Sequence, residues 1–205
     1  MRRLINWFKI QLREAEIDEL REAERSYIGR LSSNIGWVER LPGSPELAGA
    51  RAELAVIEQL RRLPAENTVL NDVQLRATRF IQFNGIPLQS AQIDHLVLSP
   101  AGVFAIETKL WSRQFAESGR YHDPFDQIQR AGYLCFDLLR EQFGKIHVRQ
   151  IIACAGSLPP APEGAHVKVL PIGQLNGYIT WFKERALVPG EIVRVQEFLG
   201  QFLVH

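Results

Sequence analysis

The chain carries little that would tie it to a specialised class. It has only two cysteines in 205 residues. Cys135 and Cys154 lie in different apolar segments and form no CxxC, which argues against a disulfide framework or a structural zinc site and fits a reducing compartment. Neither charge sign dominates: 24 Lys and Arg against 23 Asp and Glu leave a net +1. That speaks against a strongly basic coat protein for nucleic acid, though not against a local basic groove. No uncharged apolar run approaches the ~18 residues of a membrane span. The longest uncharged runs, such as Phe80 to Ile93, are broken by Asn, Gln, Ser and Pro. Arg2 and Arg3 are followed by Lys9 and Arg13 too soon for a signal-peptide core. Internal repeats and low-complexity tracts are absent from the sequence. The expectation is a soluble, cytoplasmic protein with no stable membrane association.

What is present is an ordinary globular composition. Apolar residues make up 46% and charged residues 23%, enough for a packed core and against wholesale disorder. The length suits one domain with attachments, at roughly 100–200 residues per domain.

Three regions follow. Residues 1–40 hold 8 basic and 7 acidic side chains, with Ile5, Phe8, Leu12, Leu20, Tyr27 and Leu31 near helical spacing. They predict an amphipathic helical extension that packs on the main domain or mediates homodimer or partner contact. Residues 41–155 form the core. Pro42-Gly43-Ser44-Pro45 punctuates the chain, and Ser44 and Pro45 suit an N-cap and first helical position for a helix to about Arg62. Thr68 to Leu75 reads as a strand, followed by an irregular segment to about Ser90. Gln92 to Leu98 and Val103 to Lys109 alternate around Ser99-Pro100-Ala101-Gly102, a type I turn signature. Asp123-Pro124 opens a helix to about Phe143, and Ile146 to Ala155 reads as a strand. Residues 156–205 add a short strand near Val167 and helices over about 173–187 and 191–203, packed on the core. The order from 45 to 155 is α-β-β-β-α-β, an α/β fold with a mixed sheet flanked by helices.

The hairpin carries the chemistry. Pairing Ser99 with Gly102 sets Asp94 opposite Glu107, with Cβ atoms about 4.5–5.5 Å apart. Lys109 shares their face. Both faces of the hairpin are mostly apolar, so it belongs inside the sheet. Two acids facing each other there repel, and low dielectric worsens the conflict. Protonation of one acid, an ion pair with Lys109, or a divalent cation between them would each resolve it. Hard cations such as Mg2+ take oxygen ligands, and Asp94, Glu107 and the Thr108 backbone carbonyl could supply them.

Two helices aim polar groups at the same place. Glu53 falls in the middle of the buried stripe formed by Ala50, Val56, Ile57 and Leu60, where a carboxylate is rarely left unpaired. Gln127 shares a face with Ala131, Leu134 and Leu138 in the first turn of the helix from Pro124.

Gly49-x-x-x-Glu53, Gln92-Ile93-Asp94-His95-Leu96-Val97-Leu98, Gly102-Val103-Phe104-Ala105-Ile106-Glu107-Thr108-Lys109 and Pro124-x-x-Gln127, in that order, closely resemble the nuclease-related domain (NERD) family of the PD-(D/E)XK nuclease superfamily. The resemblance covers roughly residues 45 to 155 and implies a restriction-endonuclease-like αβββαβ core. By position it implies Asp94 and Glu107 as metal ligands, with Glu53 completing the acidic site from the first helix. Lys109 would orient or activate the attacking water or stabilise charge on the phosphate, and Gln127 would position the lysine, water or substrate. Ile93 stands where the superfamily nominally has Pro, at a position that varies.

The implied activity is a Mg2+-dependent phosphodiesterase, with Mn2+ able to substitute, acting on nucleic acid and first of all on DNA. Phosphate and base contacts are expected from the segment after Lys109, which mixes Trp111, Arg113, Phe115, Arg120, Tyr121 and His122; Arg113, Arg120 and Tyr121 are the candidates. Two alternatives stand beside it: a nucleic-acid-binding or regulatory module without useful turnover, and an assembly module working through residues 1–40. His95 points to the opposite face from the acids and reads as structural. Residues 41–155 hold 12 basic and 12 acidic side chains. That balance predicts modest, metal-assisted DNA binding in place of a broad electrostatic grip.

Overall fold

The computed structural model describes residues 22, 25–26, 28–30, 45–111, 123–157 and 166–203. Helix α1 spans Pro45–Leu60, β1 Thr68–Phe83, β2 Ile86–Ser99, β3 Gly102–Trp111, α2 Pro124–Phe143, β4 Val148–Gly156 and β5 Val167–Pro171. A 3-10 turn over Ile172–Gln174 leads into α3 (Leu175–Trp181), and α4 covers Pro189–Gly200. The five strands form one sheet in the order β1-β2-β3-β4-β5. β1, β2 and β3 are antiparallel neighbours, while β4 and β5 continue the sheet in parallel.

Helices cover both faces. Val56 and Leu60 of α1 and Leu175 and Ile179 of α3 pack against Val97, Phe104, Ile106 and Ile151. On the other face, Ile128, Leu134 and Leu139 of α2 and Val195 and Leu199 of α4 pack against Leu96, Leu98, Val103 and Ile152. A sheet covered on both faces needs strands apolar on both sides. β3 satisfies this, with every residue from Gly102 to Thr108 buried.

Local chemistry sets the ends. Asp123 caps α2, its Oδ1 accepting from the Phe125 N–H at 2.9 Å, with Pro124 at the first helical position. Gly102 closes the β2–β3 turn at φ +119°, which an L side chain rarely adopts. The register runs from Ser99↔Gly102 to His95↔Ile106, as the sequence predicts.

Several boundaries differ from expectation. The segment between Leu75 and Ser90, expected to be irregular, is a hairpin whose irregularity is confined to a register shift between Arg76 and Ile81. β1 runs through to Phe83, and Asn84 and Gly85, both with φ > 0 (50° and 76°), make a two-residue turn into β2. Asn-Gly is the preferred pair for that turn because both positions need the left-handed region. The helix expected over 173–187 stops at Trp181, where Phe182 turns extended. The chain beyond it is tied instead by the Leu187 N–H to the Pro100 carbonyl at 2.9 Å. The last helix begins at Pro189, which suits a first helical position, and ends at Gly200, short of the expected 203.

The amphipathic helix expected over residues 1–40 lies mostly outside the described residues, as does Ser44. Residues 22, 25–26 and 28–30 are helical. Ile28 packs against Ala50 and Ile57, and Arg30 pairs with Asp72 at 2.7 Å. No described helix is long and apolar enough to cross a membrane.

Candidate active site

The site begins where the β1–β2 ribbon breaks its alternation. Leu70 and Leu96 face α2 and α4, while Val69 and Val97 face α1. Three positions on, Val73 and Ile93 also face α2 and α4. Side chains alternate strictly along a regular strand, so both strands must slip by one face in between. Asp72 and Asp94 are the pair missing from the ladder there, between Asn71↔His95 and Val73↔Ile93. Asp72 takes φ 53°, which Asp tolerates better than most residues. It is held by Arg30 and by the Gln92 amide donating at 2.8 Å.

This break re-aims Asp94. The β2–β3 ladder stops one pair short of Asp94 and Glu107. The Asp94 carboxylate instead accepts the Thr108 backbone N–H at 2.8 Å. The cross-strand pair expected from the register is therefore replaced by a side chain reaching across to the neighbouring backbone. In an extended strand the N–H and C=O of one residue point the same way, so the Thr108 carbonyl faces the same edge.

Glu107 and Lys109 lie on the α2 face, as the alternation from Val103 and Ala105 requires. Glu107 is 2% exposed. Its Oε1 accepts from Lys109 Nζ at 2.6 Å, and Lys109 Nζ also reaches Gln127 Oε1 at 3.3 Å. Gln127 stands close enough to favour the charged form of Glu107. Even so, no well-formed hydrogen bond reaches the buried Glu107 Oε2, and the buried Thr108 Oγ1 has no partner.

Glu53 comes from the first helix, as expected, but from the other face of the sheet than Gln127. Helices α1 and α2 sit on opposite faces of the sheet, so they do not approach the site from one side. Glu53 is half-buried on α1, and its charge acts on both Asp94 and Glu107. Asp94 is part-exposed as a residue. Burial, then Glu107 and Glu53, push its pKa well above the ordinary carboxylate value, against the Thr108 N–H and Lys109. Burial also raises Glu107, and Lys109 opposes it by charge and hydrogen bond.

His95 is wholly buried, and its Nδ1 lies 2.8 Å from Asn71 Oδ1. Burial lowers its pKa to about 3, so it stays neutral and structural. Arg113, Arg120 and Tyr121 lie outside the described residues. Trp111, grouped with them from sequence, is instead buried at the end of β3. The sequence reading missed Asp72; an Asp within an otherwise alternating strand was the available signal.

The family profile of the nuclease-related domain matches residues 48–155, the stretch from α1 to the end of β4. The chain belongs to the NERD family. No curated protein matches it. Among solved structures, the small subunit of a heterodimeric restriction endonuclease aligns over 86% of this chain and 100% of its own, at 13% identity and a TM-score of 0.37. NERD membership points to nuclease chemistry, and the site offers oxygen donors for it. Among the described residues no three His, Cys, Asp or Glu side chains converge as a ready-made cation cage. The fit of a hard cation in this NERD domain therefore rests on a mixed set: the Asp94 carboxylate, the orphaned Glu107 Oε2 and the Thr108 carbonyl. One or two carboxylates completed by other oxygens is the usual provision for Mg2+.

Proposed function

We propose that this NERD domain is a metal-dependent nuclease that hydrolyses phosphodiester bonds, with DNA as its substrate and Mg2+, or Mn2+ in its place, as its cofactor. The observation that carries the reading is the buried, unpartnered Glu107 Oε2 beside Lys109, next to an Asp94 whose surroundings disfavour its charge. Buried polar atoms rarely go unsatisfied, and a cation would satisfy both acids together.

Asp94, Glu107 and the Thr108 carbonyl would hold the ion, with Glu53 adding negative charge from the opposite face. A divalent cation polarises a phosphoryl oxygen and lowers the pKa of water. Lys109 would give up part of its hold on Glu107 to orient the attacking water and to offset charge growing on the phosphate. Gln127 accepts from Lys109 and fixes where the ammonium stands. No serine, cysteine or histidine nucleophile is needed.

The test is incubation with plasmid, linear duplex, single-stranded DNA and RNA, in Mg2+, Mn2+ or EDTA, alongside Asp94→Ala and Lys109→Ala. Cleavage should need the metal and disappear in both variants. Cleavage that survives in both would remove these residues from the mechanism. Binding without cleavage in every condition would favour the non-catalytic binding module.

A further inference from the structure

A cavity of about 320 Å3 opens on the α2 face of the sheet, between α2, the tip of the β1–β2 hairpin and the start of β4. Its walls combine the rings of Phe83, Tyr133 and Phe136 with the amides of Asn84, Gln129 and Gln150. His166 lines it as well, and among the described residues no Asp, Glu, Lys or Arg does. The volume lies at the small end of ligand sites, which run from about 300 to 1,000 Å3.

The lining selects a kind of ligand. Without a lysine or arginine it offers little to a phosphate, and without a carboxylate little to a cation. Each amide brings two donors and an acceptor, which a purely aliphatic ligand would leave unmatched. Rings favour a flat π-system. An uncharged planar heterocycle with donors and acceptors along its edge meets all of these demands. We infer that this cavity is a nucleobase-binding site.

Two further observations fit that assignment. Gly132 lies inside α2, where glycine is unfavourable. An added Cβ there would come within 2.5 Å of Gln150 Nε2, so the glycine is what lets the Gln150 amide lie against the helix. In the parallel β3–β4 register, Gln150 stands beside Ala105 and Ile152 beside Glu107. Gln150, in the cavity wall, is thus two residues, about 7 Å along the strand, from the level of Glu107 and on the same face. Placing the base within a bound strand rests on the nuclease reading. The base-binding chemistry itself does not.

The test is calorimetric titration in EDTA, so that cleavage plays no part. The probes are AMP, GMP, CMP and UMP, ribose 5-phosphate, and a short single-stranded oligonucleotide with and without one abasic position. At least one nucleotide should bind and ribose 5-phosphate should not. Tyr133→Ala should weaken binding about tenfold, the size of one lost base–aromatic stack. Gln129→Leu, which keeps side-chain bulk, should change the preference among bases, and Gly132→Ala should weaken all of them. A free nucleotide binding as tightly as the oligonucleotide identifies a free-nucleotide site. A preference for the oligonucleotide that the abasic position removes identifies a strand subsite. Equal binding of ribose 5-phosphate, no binding by any nucleotide, or wild-type affinities in a folded Tyr133→Ala and Gln129→Leu would each overturn the inference. Base binding without cleavage in any metal would defeat the nuclease reading and leave this one standing.

Discussion

Asp94→Asn should make the metal-free protein more stable while abolishing its activity. Burial, Glu107 and Glu53 favour the neutral form of Asp94, and the Thr108 N–H and Lys109 favour the charged form. The raised pKa means that the first group wins. An acid whose folded pKa exceeds its unfolded value binds protons more tightly when folded. The contribution of Asp94 to stability is therefore greatest at low pH, and it falls as pH climbs from about 4 toward the raised value. Asparagine imitates the neutral acid and keeps an oxygen for the Thr108 N–H. That bond weakens from charge-assisted to neutral, a loss of about 1 kcal/mol. The net gain should be about 0.5–2 kcal/mol, the range of single stabilising substitutions. At roughly 2–4 °C per kcal/mol for a chain of this size, Tm rises by about 1–8 °C. The assay is thermal melting in EDTA from pH 5 to 8. The variant's advantage should widen with pH until Asp94 is charged in the folded wild type. Mg2+ at a hundredfold over its Kd should stabilise wild type by about 2.7 kcal/mol and leave Asp94→Asn nearly unmoved. A variant less stable than wild type at pH 8 in EDTA, or a gap that narrows as pH rises, would refute the reasoning.

Other outcomes follow from single contacts. Arg30→Ala removes one of the groups holding the buried Asp72; because Arg30 is itself part-exposed, the loss should be about 1 kcal/mol by chemical denaturation. Gly156→Ala forces a side chain onto φ +100° with its Cβ 2.5 Å from the Trp111 carbonyl oxygen. It should cost roughly 1–3 kcal/mol and, by shifting the end of β3, reduce cleavage as well. Phe104→Ala empties a fully buried site between α3 and the sheet, and a drop of about 3–5 kcal/mol in unfolding free energy is expected. Burial pushes the Cys135 thiol up to about 12 and Cys154 up to about 11, so neither should react with a thiol reagent at pH 8 until the protein unfolds; prompt native-state labelling would contradict the burial.

The order of elements was legible because each has a local cause. Asp123-Pro124 writes its own helix start, and Ser99 to Gly102 writes its own turn. Alternation then fixes the register down to His95 and Ile106. Asn84-Gly85 carried an equally strong turn signal. The alternation around it is broken by the register shift between Arg76 and Ile81, so the strand pattern fades before the turn. The early stop of α3 was not legible from local sequence, since it depends on Leu187 reaching Pro100 in another part of the fold.

The chemistry of the site was more legible than its geometry, and the reason is physical. Period-two alternation assumes that no residue slips a face, and from that assumption Asp94 must stand squarely opposite Glu107. Asp72 breaks the assumption from a neighbouring strand. Both strands slip by one face where Asp72 and Asp94 leave the ladder, and Asp94 turns toward the Thr108 N–H. That slip also explains how two acids can sit so close within an apolar sheet. One of them is bound to backbone and the other to Lys109, so their charges are steered apart while one oxygen of Glu107 is left without a partner. The Arg30–Asp72 pair therefore braces the distortion on which the site depends. Arg30→Ala should disturb metal affinity more than its small effect on stability would suggest. Metal titration of that variant, followed by Tm, would separate the two: wild-type metal stabilisation would mean that Asp72 holds its conformation without the arginine.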